Sequence, residues 1–209
     1  MALVKYNNNS ISAVTSAASI PSGALTHIKT LTASSSATLS FVNGSDGVVL
    51  NSTYPIYKIV CINCHPSQQG GDGDEFSVNF RDGGSAYDAT KTTTFFSAVH
   101  GEDGSGGAVA YRTSHDLAQS TSFQTLGVDM DADNDTQISG ELLFFNPSST
   151  NFVKHFIWKG NYVHSSASSH NSFVAGYCNT TTAIDAIQFK MSAGNIDSGK
   201  IKLYGIKDS

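Results

Sequence analysis

Toward the end of the chain, apolar and polar side chains change places residue by residue. In 183–191, Ile187, Phe189 and Met191 fall on one face while Gln188 and Lys190 fall on the other. A Gly/Asn/Ser-rich connector, 192–199, follows, and then Lys200-Ile201-Lys202-Leu203-Tyr204-Gly205-Ile206 alternates again. A period of two belongs to a strand with one face in a core and the other in water. The spacing therefore predicts a closing β-hairpin with Ile201 and Leu203 inside. Gly205 interrupts the row and leaves Ile206 on the lysine face, which predicts a β-bulge there.

The same signal recurs upstream and predicts strands over 24–33, 37–42, 48–51, 56–65, 75–81, 90–99, 108–112, 123–130, 138–146, 152–158 and 173–178. The stretch 37–51 reads as a hairpin around Asn43-Gly44-Ser45-Asp46-Gly47, whose glycines supply positive φ. Residues 56–65 are almost continuously apolar and predict a central strand buried on both faces. Phe76, Val78 and Phe80 point inward together. The one weak helical signal is a turn over 114–121, capped by Ser114. Turn signals at this cadence predict about eleven to thirteen short strands. The fold class is all-β, an antiparallel β-sandwich of jelly-roll type.

Residues 1–22 break the pattern. They hold Asn7 to Ser10 and a run of Ser, Ala and Thr, closed by Pro21-Ser22-Gly23. Without a hydrophobic face they cannot offset the entropy of their own ordering. They read either as a frayed terminus or as an extended arm that orders against another subunit, so the sandwich is assigned to 23–209.

Composition narrows the partners. Only 14% of the 209 residues are charged and the net charge is -5, so the polar surface is built from Ser, Thr, Asn and Gly. That surface suits sugars or other subunits. The 12 Lys and Arg are scattered, which argues against a phosphate backbone as partner. No run reaches the ~18–20 apolar residues of a membrane helix, so no membrane insertion is expected. The opening, Met1 to Asn9, lacks the apolar core of a secretory signal, which predicts folding in a cytoplasm. Three cysteines, an odd number, predict free thiols.

Several constellations resemble chemistry. Cys61-Ile62-Asn63-Cys64-His65 matches the C-x-x-C-H pattern of covalent haem attachment. That pattern needs a helical turn, whereas here it ends a strand in which residues three apart face opposite ways. Buried free thiols, with Cys178 the third, are the preferred assignment over haem or zinc. Asp129, Asp131, Asp133 and Asp135 place carboxylates at alternating positions, as a curled calcium loop would. The EF-hand pattern fails, since its glycine position holds Asn134 and its final glutamate position holds Gly140. A solvated turn is the preferred account, with 70–75 a second acidic loop.

The seven histidines form no H-x-H or H-E-x-x-H pair. Ser114-His115-Asp116 is contiguous, and adjacent side chains diverge, so it is no triad. Gly101–Gly107 lacks the Lys-Ser/Thr of a phosphate loop. Trp158, Tyr162 and Tyr177 would make a sugar-stacking platform only if they left the core. Paired carboxylates for glycoside hydrolysis are available only within 129–135 or 72–75, both at loop tips. No catalytic residue and no cofactor are assigned.

The blocks "SATLSFVNGSDGVVLNSTYPIYKIVCINCHPS", "SGELLFFNPSSTNFVKHFI" and "FVAGYCNTTTAIDAIQFKMSAGNIDSGKIKLYGIK" resemble virion structural proteins of tailed bacteriophages of marine bacteria, tail-fibre-like or surface proteins. The resemblance spans about Ser34 to Lys207. It implies a non-enzymatic β-sandwich made in the host cytoplasm and displayed on the virion, as a tail fibre or a head decoration. The implied partners are other virion proteins and copies of itself, with a homotrimer favoured by analogy. The alternative is a lectin-like sandwich that recognises a host surface glycan. Its binding would fall on the connectors 68–75, 101–107 and 162–171, because loops on a rigid scaffold concentrate function.

Overall fold

The structure is a computed structural model that describes residues 24–68 and 74–208. The arm assigned to 1–22 and most of the loop 70–75 lie outside the described residues. Twelve strands follow one another: β1 (Leu25–Thr32), β2 (Leu39–Val42), β3 (Ile56–Pro66), β4 (Asp74–Arg81), β5 (Lys91–Gly101), β6 (Ala108–Tyr111), β7 (Gln124–Met130), β8 (Ile138–Phe145), β9 (Lys154–His164), β10 (Ser168–Cys178), β11 (Ala186–Met191) and β12 (Ile196–Ile206). Every pairing between them is antiparallel.

The neighbours run β1-β12-β3-β8 on one side and β2-β11-β4-β7 on the other, and β9 bridges β8 to β7. Strand β10 pairs with β9 and β5, and β6 lies on the far edge of β5. The all-β antiparallel class is as expected. Two separate layers are not found, because β9 carries hydrogen bonding from one set of strands to the other through Met130 and His164. The sheet is thereby nearly closed into a barrel-like shape.

No helix occurs among the described residues. Where one turn was expected over 114–121, the connector is instead stretched across β5. Thr93 Oγ1 accepts the Leu117 N–H at 2.8 Å and Thr92 Oγ1 accepts the Gln119 N–H at 3.1 Å.

The predicted closing hairpin does not form. Strand β11 fills the slot between β2 and β4, and β12 fills the slot between β1 and β3. Inserting each strand between two partners satisfies both of its rows of backbone groups, whereas a hairpin would leave an open edge on each. The predicted bulge at Gly205 is also absent. The irregularity lies on the partner strand, between His27 and Lys29. Gly205 keeps the inward phase of Ile201 and Leu203, and a Cβ on it would run into the Tyr54 ring. The glycine is a seat for that ring, which meets Tyr57 edge-on at 5.7 Å.

Two other expectations change. Residues 48–51 are not a strand: Gly44 N–H reaches the Val48 carbonyl at 2.9 Å, closing a tight loop after which Val48 and Leu50 drop into the core. Strand β3 is buried on one face only, through Tyr57, Ile59 and Cys61, because no described strand forms a layer over its outer face.

The core is aromatic. Phe80 packs on Phe144 at 4.8 Å and on Phe156 at 5.0 Å, and Phe76 stacks on Phe189 at 5.7 Å. Trp158, fully buried, lies over the directly paired glycines Gly140 and Gly160. Neither glycine has room for a Cβ beside the indole.

Candidate functional site

The hairpin β9–β10 turns at 165–167 and the hairpin β5–β6 turns within 102–107, and the two tips meet. Glu102 N–H donates to the Ala167 carbonyl at 3.0 Å and ties one tip to the other. Between them lies a cleft of about 710 Å³, rimmed by Glu102, Asp103, Ser105, Ser166 and Ser168. Two of the three connectors expected to carry recognition, 101–107 and 162–171, thus build one cavity. The Ser105 hydroxyl and N–H hold the Asp103 carboxyl below the usual carboxylate range.

A chain of polar side chains runs inward from the cleft. Tyr162 Oη lies 3.3 Å from His170 Nδ1, and His170 Nε2 lies 3.1 Å from Ser168 Oγ. Ser168 Oγ is 3.0 Å from Ser166 Oγ, which is 2.9 Å from His164 Nδ1. His164 Nε2 faces Asp129 Oδ2 at 3.5 Å. One direction of donation satisfies the whole chain. Tyr162 donates to His170, His170 to Ser168, Ser168 to Ser166, Ser166 to His164, and His164 to Asp129. In this orientation each imidazole donates through Nε2 and accepts at Nδ1. The two rings stack at 4.3 Å and 16°.

Asp129, His164 and Ser166 have the residue types of a catalytic triad. A nucleophilic serine also needs N–H donors aimed at a developing oxyanion. Here the Ser166 N–H is spent on His164 Nδ1 at 3.0 Å, and the Ala167 N–H on the His164 carbonyl at 3.0 Å. The imidazole is braced as part of the turn.

Burial foremost, then the charges of His164 and Arg112, push the His170 imidazole down to about 4. The unfolded chain therefore binds the extra proton first, between about pH 6.5 and 4. Stability is fully present above pH 6.5 and is lost as pH falls through that window, by about 2–3 kcal/mol. Urea unfolding of wild type and His170→Gln between pH 4 and 7 checks this: the variant should show a flatter profile across the window. An equal slope in both would refute the assignment. The Glu75 carboxyl, held low chiefly by its hydrogen bond from His115, adds a separate loss below pH 4.5.

The acidic run is spread out. Asp129 turns to His164, Asp131 Oδ1 accepts the Asp133 N–H at 3.2 Å, and Asp133 and Asp135 are exposed. Among the described residues no three His, Cys, Asp or Glu side chains converge as a metal would need. The His65 ring nitrogen Nε2 lies 3.1 Å from the Asp133 carbonyl and so takes part in the turn.

Cys61 and Cys64 do not face opposite ways. A bulge at Ile62 and Asn63, with Asn63 at φ 50°, adds a residue, and both thiols point into the core. Burial, then the neighbouring Cys64, pushes the Cys61 thiol well up, and burial pushes Cys178 up to about 12. Such thiols are inert.

The aromatic platform does not assemble: Trp158 and Tyr162 are buried while Tyr177 lies half-buried on the outer face. His115 faces Glu75 and Asp116 accepts from Tyr111 at 2.7 Å, so Ser114-His115-Asp116 diverges as expected.

No protein-family model, no curated protein and no solved structure matches this chain. Its function is therefore read from its surfaces.

The most conspicuous surface lies away from the cleft. On the outer face of β5 and β10, Phe96 and Phe173 stack at 4.8 Å and 8°. Beside them, edge strand β6 exposes Val109 (73%) and Tyr111 (52%), and β9 exposes Ile157 (49%). Lys159 is the only charged side chain pointing outward among these strands' central residues, 92–98, 108–111, 155–159 and 173–177. Sequence patterning did not mark this face, since alternation reports which side is buried by the chain's own core and not what the other side meets.

Proposed function

We propose that this chain is a non-enzymatic virion structural protein of a tailed bacteriophage, a surface-displayed β module that assembles with copies of itself and with other virion proteins. The observation that carries the reading is the apolar outer face of β5, β10 and β9 with the edge of β6, which pairs with β5 alone among the described strands. Edge strands of monomeric proteins are usually blunted by lysine, proline or a bulge. Ala108-Val109-Ala110-Tyr111 has none of these. Large exposed apolar patches mark protein contacts. The family resemblance points the same way, and so does a cleft in which the Ser166 and Ala167 N–H groups are both spent on His164.

A jelly roll is the finer fold proposal. Its support is the order β1-β12-β3-β8 facing β2-β11-β4-β7, in which the chain alternates sides as two interlocked Greek keys do. On this view β5–β6 and β9–β10 are two added hairpins, and they carry both the apolar face and the cleft.

The second reading, glycan contact, is favoured by the cleft between those hairpin tips, with its hydroxyl and carboxylate rim. One experiment tests both. Val109→Lys with Tyr111→Lys should reduce self-association and incorporation into particles at least tenfold while leaving the melting temperature unchanged, because both side chains are exposed. Normal incorporation of that variant would refute the assembly face. Ser105→Tyr should leave incorporation intact and lower adsorption to host cells. Unchanged adsorption would remove the glycan reading.

A further inference from the structure

Beneath the cleft, the inner face of β5 continues from Val99 to Ser97 and Phe95, and a second, smaller cavity opens there. It measures about 90 Å³ and is lined by polar groups from five segments, among them Arg112, His115, Asp129, Tyr162 and His170. Water takes ~30 Å³ per molecule in the liquid, so the space suits one carboxylate or phosphate group and excludes a sugar ring.

Arg112 is placed rigidly. Its N–H donates to the Phe95 carbonyl at 2.8 Å, and its Nε donates to Ser97 Oγ at 2.7 Å. The rest of its fork has no acceptor among the described residues, and no described ion pair includes it. The nearby carboxylates are committed elsewhere: Asp129 to His164 at 3.5 Å, and Glu75 to Thr125 at 2.7 Å and His115 at 3.4 Å. Tyr162 and His170 are committed to each other. A half-buried guanidinium is thus held in place with no carboxylate on the rest of its fork. Its planar fork matches the two oxygens of a carboxylate or phosphate.

We propose that this cavity is a small-oxyanion site in which the free fork of Arg112 receives a carboxylate or phosphate group. The site is separate from the outer apolar face, so it stands whether or not the assembly reading does. Asp129 at the wall limits the site to a single anionic group. His170 lines the cavity and its partner Ser168 lines the cleft, so one hydrogen-bonded pair lies between the two.

The test is thermal unfolding and titration calorimetry at pH 7 and fixed ionic strength, with inorganic phosphate in one arm, acetate in a second and chloride as control. The wild type should show a saturable rise in melting temperature with phosphate or acetate, and the arm that saturates first identifies the oxyanion. Arg112→Gln should abolish the rise, and Arg112→Lys, which keeps charge but loses the fork, should weaken binding at least tenfold. Ser97→Ala, which frees the guanidinium from its anchor, should weaken it less and serves if Arg112→Gln fails to fold. No saturable rise over chloride, or an equal rise in the Arg112 and Ser97 variants, would mean an adventitious ion only and overturn the site.

Discussion

Truncating Trp158 to alanine is expected to lower the unfolding free energy by about 3–5 kcal/mol. The indole is fully buried, and its Nε1 donates to Ser172 Oγ at 3.0 Å, which in turn donates to the Leu126 carbonyl at 2.6 Å. The side chain therefore fills volume and joins β9 to β10 and β7. Its seat is the cross-strand pair Gly140 and Gly160. Gly160→Ala alone should cost about 1–3 kcal/mol, because the new methyl meets the indole. In a Trp158→Ala background the same change should cost almost nothing. Urea unfolding of the two single variants and the double gives the coupling. If Gly160→Ala costs the same in both backgrounds, the indole is not what excludes the methyl.

This seat also shows what a sequence conveys and what it withholds. Phe76, Val78 and Phe80 are inward because alternation is a local property of one strand, and it survives whatever the neighbours are. Which strand lies beside which is not local. Strands β11 and β12 carry the clearest alternation in the chain, yet they are separated into different slots by partners more than a hundred residues away. A glycine has no periodic signature, so Gly205 read as an interruption when it is a seat for Tyr54. The bulge at Asn63 likewise shifts the phase of Cys64 with no warning in residue type.

The candidate site was half visible. The connectors 101–107 and 162–171 stood out by composition, but their meeting depends on β5, β9 and β10, which run longer than patterning suggested. His164 and His170 stack because Tyr162 pairs with His170 and His164 with Ser168, which sets the two rings diagonally on one face. Recognising 165–167 as a hairpin tip would have found them. Arg112 offered no such signal, since it lies in a connector whose path is set by hydrogen bonds to β5.

Lys154→Ala should be the most damaging change at the opposite end of the barrel, costing about 3–5 kcal/mol. Period two already puts Lys154 in phase with Phe156 and Trp158, and Lys91 in phase with Phe95, yet a lysine invites assignment to the surface. Both are fully buried, and both lie directly across from Cys178 in register. Burial pushes Lys91 down to about 8 and Lys154 in the same direction. Neither forms a described carboxylate pair; backbone carbonyls hold them instead. Lys91 Nζ donates to Ser122 at 2.7 Å, and Lys154 Nζ donates to Thr180 at 3.0 Å and Thr182 at 2.6 Å. Each ammonium thus fastens a loop that no disulfide secures. Lys154→Met separates the contributions, since it keeps most of the volume while leaving two carbonyls without their donor. It should cost about 1–3 kcal/mol, reduced by the relief of a buried charge. Hydrogen exchange at the Ile184 amide, which donates to the Pro147 carbonyl at 2.8 Å, should quicken in both variants as the 180–182 loop loosens. A methionine variant as stable as wild type, with unchanged exchange, would show that the carbonyl cage contributes nothing beyond filling space.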